Sequence, residues 1–293
     1  MSAPHAVVDL GTHSCLLLVA RRGADGGLDV LADLCEVPRF GAGLDRTGCI
    51  SEEALQRVGG ILDDYLGQAR ALGCERLVVG GTAALRRAKN QADVIARLTK
   101  AGIELDVLSE EREAYLGWCA VSGGDLGISI IDVGGGSTEV VARGGELLRS
   151  APVGAVVLTE RLGDRSWAAL YEEARGAIAG LATGGGVPVV TTWVALGGTP
   201  SNLAALELGL ERFDHRVVEG AELPAEATIR WGTRLAGMSL AERLELPIEA
   251  TRAEVLPAGL ACLGATLAAF GVESFRVSGR GVRFGMMEAA LGA

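Results

Sequence analysis

The sequence predicts an α/β protein that contains one fold twice, as two domains with mixed β-sheets flanked by helices and a cleft between them. Strand patterns alternate with helix patterns along most of the 293 residues, which indicates sheets covered by helices. In addition, VVDLGTHSCLLLVA at 7–20 recurs as IIDVGGGSTEVVA at 130–142. We therefore predict an N-terminal domain at 1–123 and a C-terminal domain at 124–293.

The first domain begins with strands and continues with alternating helices and strands. Ser51 is the predicted N-cap of a helix at 51–72, because a serine hydroxyl can accept a hydrogen bond from the first turn. Asn90 is the predicted cap of a later helix. The other predicted segments are two strands within 5–20, a strand at 28–40, a strand at 75–81, helices at 82–89 and 90–102, a strand at 103–109 and a helix at 110–121.

The pattern begins again after SGGDLG at 122–127, a glycine-rich segment typical of a linker. The predicted order is then strand, glycine turn, strand, strand, helix, strand, glycine turn and helix. We also expect the last helix of the chain to pack back on the first domain.

Composition excludes several classes of protein. The net charge of −10 argues against a general nucleic-acid surface. No run of 18 apolar residues and no signal peptide are evident, so we expect a cytoplasmic protein without a membrane segment. The six cysteines form no CxxC pair, which argues against a zinc site and a disulfide framework. Cys15, Cys119 and Cys262 lie in apolar surroundings and are expected in the core.

The repeated hairpin places an aspartate, a glycine and a serine at matching positions. Asp9 aligns with Asp132, Gly11 with Gly134 and Ser14 with Ser137. Glycines after a strand let backbone N–H groups approach an anion, and a carboxylate can hold Mg²⁺. A hairpin with a capping aspartate is the structural alternative, but its occurrence at the start of both halves favours a device that binds a metal-bridged phosphate.

A third glycine turn lies at Gly197–Thr199, between a predicted strand and a predicted helix. Pro200, Ser201 and Asn202 are the expected helix start. A helix N-terminus can bind an anion, although many α/β proteins have such a turn.

Together these segments resemble the exopolyphosphatase and guanosine pentaphosphate phosphatase (Ppx/GppA) family, within the superfamily of acetate kinase, sugar kinases, Hsp70 and actin. The resemblance implies two actin-like, ribonuclease H-like domains. It extends nearly from end to end and rests on VVDLGTHSCLLLVA, FGAGLDRTGCIS, GGTAALRRAKN, VLSEEREAYLGW, IDVGGGSTEV, SAPVGAVVLTERL, ALGGTPSNLAAL, ATRAEVLPAGLACLGATL and VSGRGVRFGMM.

The resemblance also implies a reaction, which is hydrolysis of a terminal phosphate from polyphosphate or of the 5′ phosphate of pppGpp, with Mg²⁺ or Mn²⁺. The family's base is the glutamate directly before Ala in an SGxEEA motif, which is SEEREA here and makes Glu113 the base. This chain departs from the family at Glu110, Arg112, His13 and the ALGG segment. These departures concern substrate length and rate more than the reaction.

The predicted site residues fall into three groups. The catalytic residues are Glu113, Asp132 and Glu139, and the metal ligands are Asp9, Asp132 and Glu139. The phosphate-binding residues are Gly11, Thr12, His13, Ser14, Arg86, Gly134, Gly135, Gly136, Ser137, Thr138, Gly197, Gly198 and Thr199.

Some of these residues have alternatives. Glu139 either positions metal or water or pairs with an arginine, and His13 either contacts phosphate or faces solvent. Tyr115, Trp118 and Cys119 are expected on the buried face of the helix that carries Glu113. Five further arginines are candidates for a polyanion path, although each alone is more simply an exposed side chain: Arg39, Arg46, Arg276, Arg280 and Arg283.

The expected function is Mg²⁺-dependent release of terminal phosphate from inorganic polyphosphate. Short chains are expected, because longer family members add a C-terminal helical domain that this chain ends too early to contain. The alternatives are a pppGpp 5′-phosphohydrolase and, in another class, a non-catalytic binder of polyphosphate or nucleotide that acts as a regulator. The expected partners are polyphosphate or (p)ppGpp, with no nucleic acid and no membrane. The oligomeric state stays open, with a homodimer as one alternative.

Overall fold

The computed structural model describes residues 2–142, 147–163, 166–182 and 192–292. The chain divides into two compact units. Unit 1 contains the residues up to Leu116 and those from Val282 onward, and unit 2 contains Gly117–Gly281. The change from unit 1 to unit 2 falls inside a helix, whereas the domain boundary at 123/124 was drawn at the glycine-rich linker and stays a prediction.

Unit 1 contains a five-stranded mixed sheet in the order β3-β2-β1-β4-β5. Strands β1, β2 and β3 are antiparallel neighbours, and β4 and β5 continue the sheet in parallel to β1. The elements are β1 (His5–Leu10), β2 (Cys15–Arg22), β3 (Leu28–Glu36), α1 (Leu44–Thr47), α2 (Glu52–Ala71), β4 (Leu77–Gly81), α3 (Ala83–Arg87), α4 (Gln91–Lys100), β5 (Glu104–Val107) and α5 (Glu110–Ser122), which continues into unit 2.

Both predicted capping residues in unit 1 directly precede a helix, but they differ in whether their side chains cap it. The Ser51 hydroxyl accepts a hydrogen bond from the Ala54 amide and caps α2, as predicted. Asn90 precedes α4, but its side chain does not cap it. Instead, the Asn90 amide exchanges two hydrogen bonds with the backbone of Ile50. Asn90 therefore connects α4 to the start of α2.

Unit 2 contains a six-stranded mixed sheet in the order β10-β11-β9-β6-β7-β8. The elements are β6 (Ile128–Val133), β7 (Thr138–Ala142), β8 (Leu147–Ala151), α6 (Ala155–Leu162), α7 (Trp167–Ile178), a 3-10 turn (Ala179–Ala182), β9 (Thr192–Leu196), α8 (Gly198–Glu207), α9 (His215–Val218), β10 (Glu222–Pro224), α10 (Glu226–Ala236), α11 (Leu240–Leu244), a 3-10 turn (Ala250–Arg252), α12 (Leu256–Ala269) and β11 (Ser274–Ser278).

The two sheets share one topology, which confirms the predicted duplication. In unit 2, β6, β7 and β8 are antiparallel neighbours, and β9 and β11 extend the sheet in parallel to β6. The order β3-β2-β1-β4-β5 therefore corresponds to β8-β7-β6-β9-β11. Only β10, antiparallel to β11 at the far edge, has no counterpart among the described strands of unit 1.

Each unit has its own hydrophobic core. In unit 2, every residue of α12 from Leu256 to Leu267 is buried, as expected for a helix that is apolar on all sides. Cys15 and Cys262 are fully buried, as predicted. Cys119 is only partly buried, and Cys74, for which no location was predicted, is buried instead.

The last helix, α13 (Val282–Ala290), belongs to unit 1 and packs on β1 and β2. Gly285 allows the close approach of α13 to α5, because a Cβ at this position would lie 2.1 Å from the Leu116 carbonyl oxygen. Arg283 in α13 is buried and donates two hydrogen bonds to Asp33. Arg283 is therefore a structural cation of unit 1 and is not part of a polyanion path. In the part of the chain that the structure describes, no helix is long and apolar enough to cross a membrane.

Candidate active site

The two repeated hairpins close with the same hydrogen bond. The Gly11 amide donates to the Ser14 carbonyl at 2.9 Å, and the Gly134 amide donates to the Ser137 carbonyl at 3.0 Å. A Cβ on Gly11 or Gly134 would lie 3.2 or 3.3 Å from that same carbonyl oxygen. Both positions therefore favour glycine because the backbone approaches itself closely.

The hairpins differ in the residue that faces the aspartate across the strands. Asp9 is paired with Leu16 in the first hairpin, and Asp132 is paired with Glu139 in the second. Directly paired residues of antiparallel strands lie on the same face. Glu139 is 8% exposed and accepts a hydrogen bond from the Ser150 hydroxyl. The second hairpin therefore combines two carboxylates on one face.

The glycine turn at 134–137 (turn B) is held by the start of α6. The amide of Ala155 donates to the Gly134 carbonyl, and the amides of Val156 and Val157 donate to the Gly135 carbonyl. No peptide bond in the described chain is cis, so the N–H of each of these peptide units points away from its carbonyl. The amides of residues 135 and 136 therefore point away from α6.

Gly154 makes this arrangement possible. A Cβ on Gly154 would lie 2.5 Å from the Gly134 carbonyl oxygen and 2.7 Å from backbone atoms of Gly135 and Ser137. The role of Gly154 cannot be predicted from the sequence, since it depends on a contact between two separate segments.

The turn at 11–14 (turn A) is held by a different segment. The Arg39 amide donates to the His13 carbonyl at 3.1 Å, and the Gly41 amide donates to the Thr12 carbonyl at 2.8 Å. The side chains of Thr12, His13 and Ser14 are buried. A solvent-facing His13 is therefore excluded.

Arg86 and Glu113 form an ion pair in unit 1. Arg86 Nη1 lies 2.5 Å from Glu113 Oε2, and the same nitrogen donates to the Leu108 carbonyl at 2.8 Å. Both side chains are less than one fifth exposed. The helix that carries Glu113 begins at Glu110, and the Ser109 hydroxyl accepts a hydrogen bond from the Arg112 amide. The helix start and the ion pair together fix the Glu113 carboxylate.

The electrostatic surroundings raise the pKa of Glu113 above its ordinary value. Burial is the largest cause, and it outweighs the Arg86 guanidinium, which lowers the pKa. The neighbouring Glu111 is exposed, and hydrogen bonds from its own amide and from Ser109 lower its pKa. Of these two carboxylates, Glu113 is therefore the one better suited to accept a proton.

The third glycine turn, Gly197–Thr199, lies beside Asp132 in unit 2. Gly197 has φ of 89°, and a Cβ on it would lie 3.8 Å from Asp132 Oδ1. A Cβ on Gly198 would lie 2.5 Å from Arg252 Nε, so the Arg252 guanidinium covers this turn. Arg252 is far from this turn along the chain, so no local sequence pattern predicts its position here.

The helix after this turn begins two residues before its predicted start at Pro200. Helix α8 already begins at Gly198, with Gly197 as N-cap. Ser201 and Asn202 are buried in its first turns. The Ser201 hydroxyl donates to the Gly197 carbonyl, and the Asn202 amide donates to Gly198 and to Glu249. Both side chains therefore stabilise α8 from within.

Several other predicted residues have structural contacts. Thr138 is fully buried and its hydroxyl donates to the Val153 carbonyl, so it holds the hairpin. Thr199 is buried against Gly259. Trp118 is buried as expected, but Tyr115 is 49% exposed, so the predicted buried face of α5 is wrong at that position.

The three predicted metal ligands, Asp9, Asp132 and Glu139, fit a divalent metal only in part. In the described residues, no group of three or more His, Cys, Asp and Glu side chains could hold a metal ion. Mg²⁺, however, often binds through one or two carboxylates and takes its other ligands from water and phosphate. The facing pair of Asp132 and Glu139 has that donor chemistry, so these two residues would hold the ion. Asp9 has a leucine opposite it and belongs to unit 1.

The structure thus distributes the predicted residues over both units. Unit 1 holds Asp9, turn A, Arg86 and Glu113, and Arg86 and Glu113 are in direct contact. Unit 2 holds Asp132, Glu139, turn B and the third glycine turn, which lies next to Asp132. Burial raises the pKa of Cys15 far above its ordinary range and that of Cys262 to about 12. These two thiols are therefore not nucleophiles at neutral pH.

Comparison with known proteins connects these features to one family. The profile of the Ppx/GppA phosphatase family matches residues 18–292. The chain is 31% identical over 281 residues to exopolyphosphatase 2 of Mycobacterium tuberculosis, which covers 87% of this chain and 86% of that protein. A solved structure of the Ppx/GppA family member of Aquifex aeolicus superposes with a TM-score of 0.81 at 27% identity and covers 99% of this chain and 97% of that one.

A second curated relative is a guanosine-5′-triphosphate,3′-diphosphate pyrophosphatase of Photobacterium profundum. It is 31% identical over 312 residues, which covers 98% of this chain but 59% of that protein. The chain thus spans about three fifths of the length of this relative.

Proposed function

This chain belongs to the Ppx/GppA phosphatase family, and we propose that it is a Mg²⁺-dependent hydrolase that releases the terminal phosphate of inorganic polyphosphate. We also propose that short polyphosphates are the preferred substrates. The proposal goes beyond family membership in naming the substrate, the base and the metal ligands.

The observation that carries the proposal is the partly buried ion pair of Arg86 and Glu113. A general base must be ionised and held in position, and its pKa should lie near the working pH. The hydrogen bond from Arg86 supports an ionised Glu113 that is held in position. The raised pKa of Glu113 supports the requirement on the pKa of the base. Arg86 keeps further N–H groups with which it can bind phosphate while it holds Glu113.

The reaction follows from these groups. Glu113 accepts a proton from a water molecule, and the water oxygen attacks the terminal phosphorus in line with the bridging oxygen. The bond between that phosphorus and the bridging oxygen breaks, and its electron pair stays on the bridging oxygen of the shortened chain. The products are orthophosphate and a polyphosphate with one phosphate fewer. Positioning and charge stabilisation dominate catalysis in such transfers.

Backbone amides supply much of the charge stabilisation in this proposal. The amides of residues 135 and 136 point away from α6 and can donate to phosphate oxygens. Asp132 and Glu139 would hold Mg²⁺, which, when bound, neutralises phosphate charge and polarises the phosphoryl group. Glu139 is buried and is paired with Asp132 across the hairpin, which supports this role.

Polyphosphate is named first because a relative that matches this chain over most of the length of both proteins is called an exopolyphosphatase. Another relative is called a guanosine-5′-triphosphate,3′-diphosphate pyrophosphatase. Hydrolysis of the pppGpp 5′ phosphate is the second candidate, as the identity to both relatives is 31%.

A phosphate-release assay tests the proposal. Polyphosphates of graded length, pppGpp and ATP are each compared with and without Mg²⁺. We expect Mg²⁺-dependent release that is fastest with short polyphosphates. Faster release from pppGpp would replace the substrate assignment, and polyphosphate binding without any release would favour a non-catalytic regulator.

A further inference from the structure

One backbone position in unit 1 combines an unfavourable conformation with a charged side chain. Arg39 has φ of 51° and is the one non-glycine residue with positive φ among the described residues. Thirteen glycines occupy the other positive-φ positions described. An L-residue in this conformation is strained, and glycine avoids the strain. An arginine at this position therefore motivates the hypothesis that its side chain has a function.

The position is firmly held against turn A. The Arg39 amide donates to the His13 carbonyl, and the Gly41 amide donates to the Thr12 carbonyl. Pro38 and Phe40 on either side are buried, whereas Arg39 is exposed. The backbone is thus fixed and the charged side chain reaches solvent beside the turn.

The same segment is joined to α3 by a series of contacts. A Cβ on Gly41 would lie 3.3 Å from the Ala84 Cβ. Arg87 forms an ion pair with Asp45 at 2.6 Å, and the Lys89 amide donates to the Gly48 carbonyl at 2.8 Å. Residues 39–48 and 83–89 therefore form one continuous surface, here called the basic surface.

The basic surface contrasts in charge with the rest of the chain. It contains five cationic residues and one acidic residue, whereas the whole chain has a net charge of −10. The cations are Arg39, Arg46, Arg86, Arg87 and Lys89. Arg86 contacts the base Glu113, so the surface extends from turn A to the proposed reaction centre. A local excess of positive charge on an acidic protein is suited to a polyanion.

We propose that the basic surface binds the phosphates of polyphosphate beyond the terminal one, and that Arg39 is a specificity-determining contact for this chain. The inference rests on the proposed function and deepens it. It predicts that affinity depends on chain length through charge, since each additional phosphate adds a negative group along the surface.

The test is direct binding of tripolyphosphate and of a long polyphosphate by calorimetry. Arg39→Gly removes the charge while the backbone keeps a conformation that suits glycine, and Arg39→Lys keeps the charge. Arg70→Ala removes one exposed positive charge elsewhere in unit 1. Thermal unfolding of each variant shows whether it folds.

We expect Arg39→Gly to raise the Kd for long polyphosphate about tenfold and to make binding less sensitive to salt. We expect Arg39→Lys to restore most of the affinity and Arg70→Ala to bind like the wild type. An unchanged Kd in Arg39→Gly, or an equal loss in Arg70→Ala, would overturn the proposal. A wild type that does not bind polyphosphate would also overturn it.

The proposed function can fail separately from this inference. If the wild type binds polyphosphate and releases no phosphate, hydrolysis is refuted, yet the Kd values still decide whether Arg39 contributes to binding. If the wild type hydrolyses polyphosphate and Arg39→Gly keeps the wild-type Kd and KM, only the basic surface is refuted.

Discussion

Arg86 Nη1 donates one hydrogen bond to Glu113 Oε2 and another to the Leu108 carbonyl. The arginine therefore connects the proposed base, 27 residues away along the chain, to the residue that follows β5. Burial raises the pKa of Glu113, and Arg86 opposes that increase. The balance between these two effects decides the pH at which Glu113 is ionised.

The first prediction concerns this balance. In Arg86→Gln the opposing charge is lost, so the pKa of Glu113 rises further. Because the base must be deprotonated, phosphate release falls as pH decreases through this pKa, and the acid limb of kcat/KM should move to higher pH. The measurement is a pH–rate profile of phosphate release from tripolyphosphate for both proteins.

A pH–rate profile that decreases in kcat/KM without a shift of its acid limb would contradict this prediction. If the acid limb keeps its position while kcat/KM decreases at every pH, Arg86 binds phosphate without affecting Glu113. Arg87→Gln is the matched control, because Arg87 is the exposed neighbour that pairs with Asp45. We expect its acid limb to coincide with that of the wild type.

The second prediction concerns the packing of α6 on turn B. Gly154→Ala would place a methyl group within 2.7 Å of three backbone groups, so either the turn or the helix must shift. We expect a loss of about 2–3 kcal/mol in the free energy of unfolding and a marked loss of phosphate release. Urea unfolding and the release assay measure both effects.

Gly176→Ala is the control for this substitution. Gly176 lies in α7, and a Cβ there would meet nothing within 4 Å. Alanine should stabilise the helix by about 0.5–1 kcal/mol without a change in activity. Equal effects of the two substitutions would show that the contact of Gly154 with turn B is unimportant.

The third prediction concerns the metal. Glu139→Gln keeps the shape of a buried side chain and removes a charge that would hold Mg²⁺. We expect the Mg²⁺ concentration for half-maximal phosphate release to rise about tenfold or more. Ser150→Ala, which removes only the hydrogen bond to Glu139, should cause a smaller rise.

Chelation complements this comparison. EDTA should stop phosphate release by the wild type, and added Mg²⁺ or Mn²⁺ should restore it. A Glu139→Gln protein with the wild-type Mg²⁺ dependence would exclude Glu139 as a metal ligand.

Much of the fold could be predicted because its determinants are local. Ser51 caps α2 through a contact three residues away, and the Asp-Gly-Ser pattern is repeated in both hairpins. The contacts that could not be predicted join segments that are distant along the chain. Asn90 pairs with Ile50 instead of capping its own helix, a choice that no local pattern reveals.

The candidate site shows the same division. The glycine turns and the carboxylates could be predicted from their spacing and from the family resemblance. The pairing of Arg86 with Glu113, the closeness of Gly154 to turn B and the position of Arg252 over Gly198 depend on packing between elements. The spacing of Tyr115 with Trp118 and Cys119 predicts a buried side chain, but a phenol can remain exposed at little cost.

The most direct test of the central claim, that Glu113 is the general base, is the kcat of Glu113→Gln for phosphate release from tripolyphosphate with saturating Mg²⁺. We predict a fall of about 10²–10⁴-fold with the Kd for tripolyphosphate retained, while Glu111→Gln in the same helical turn keeps the wild-type kcat. A Glu113→Gln protein that releases phosphate at close to the wild-type rate would contradict the account.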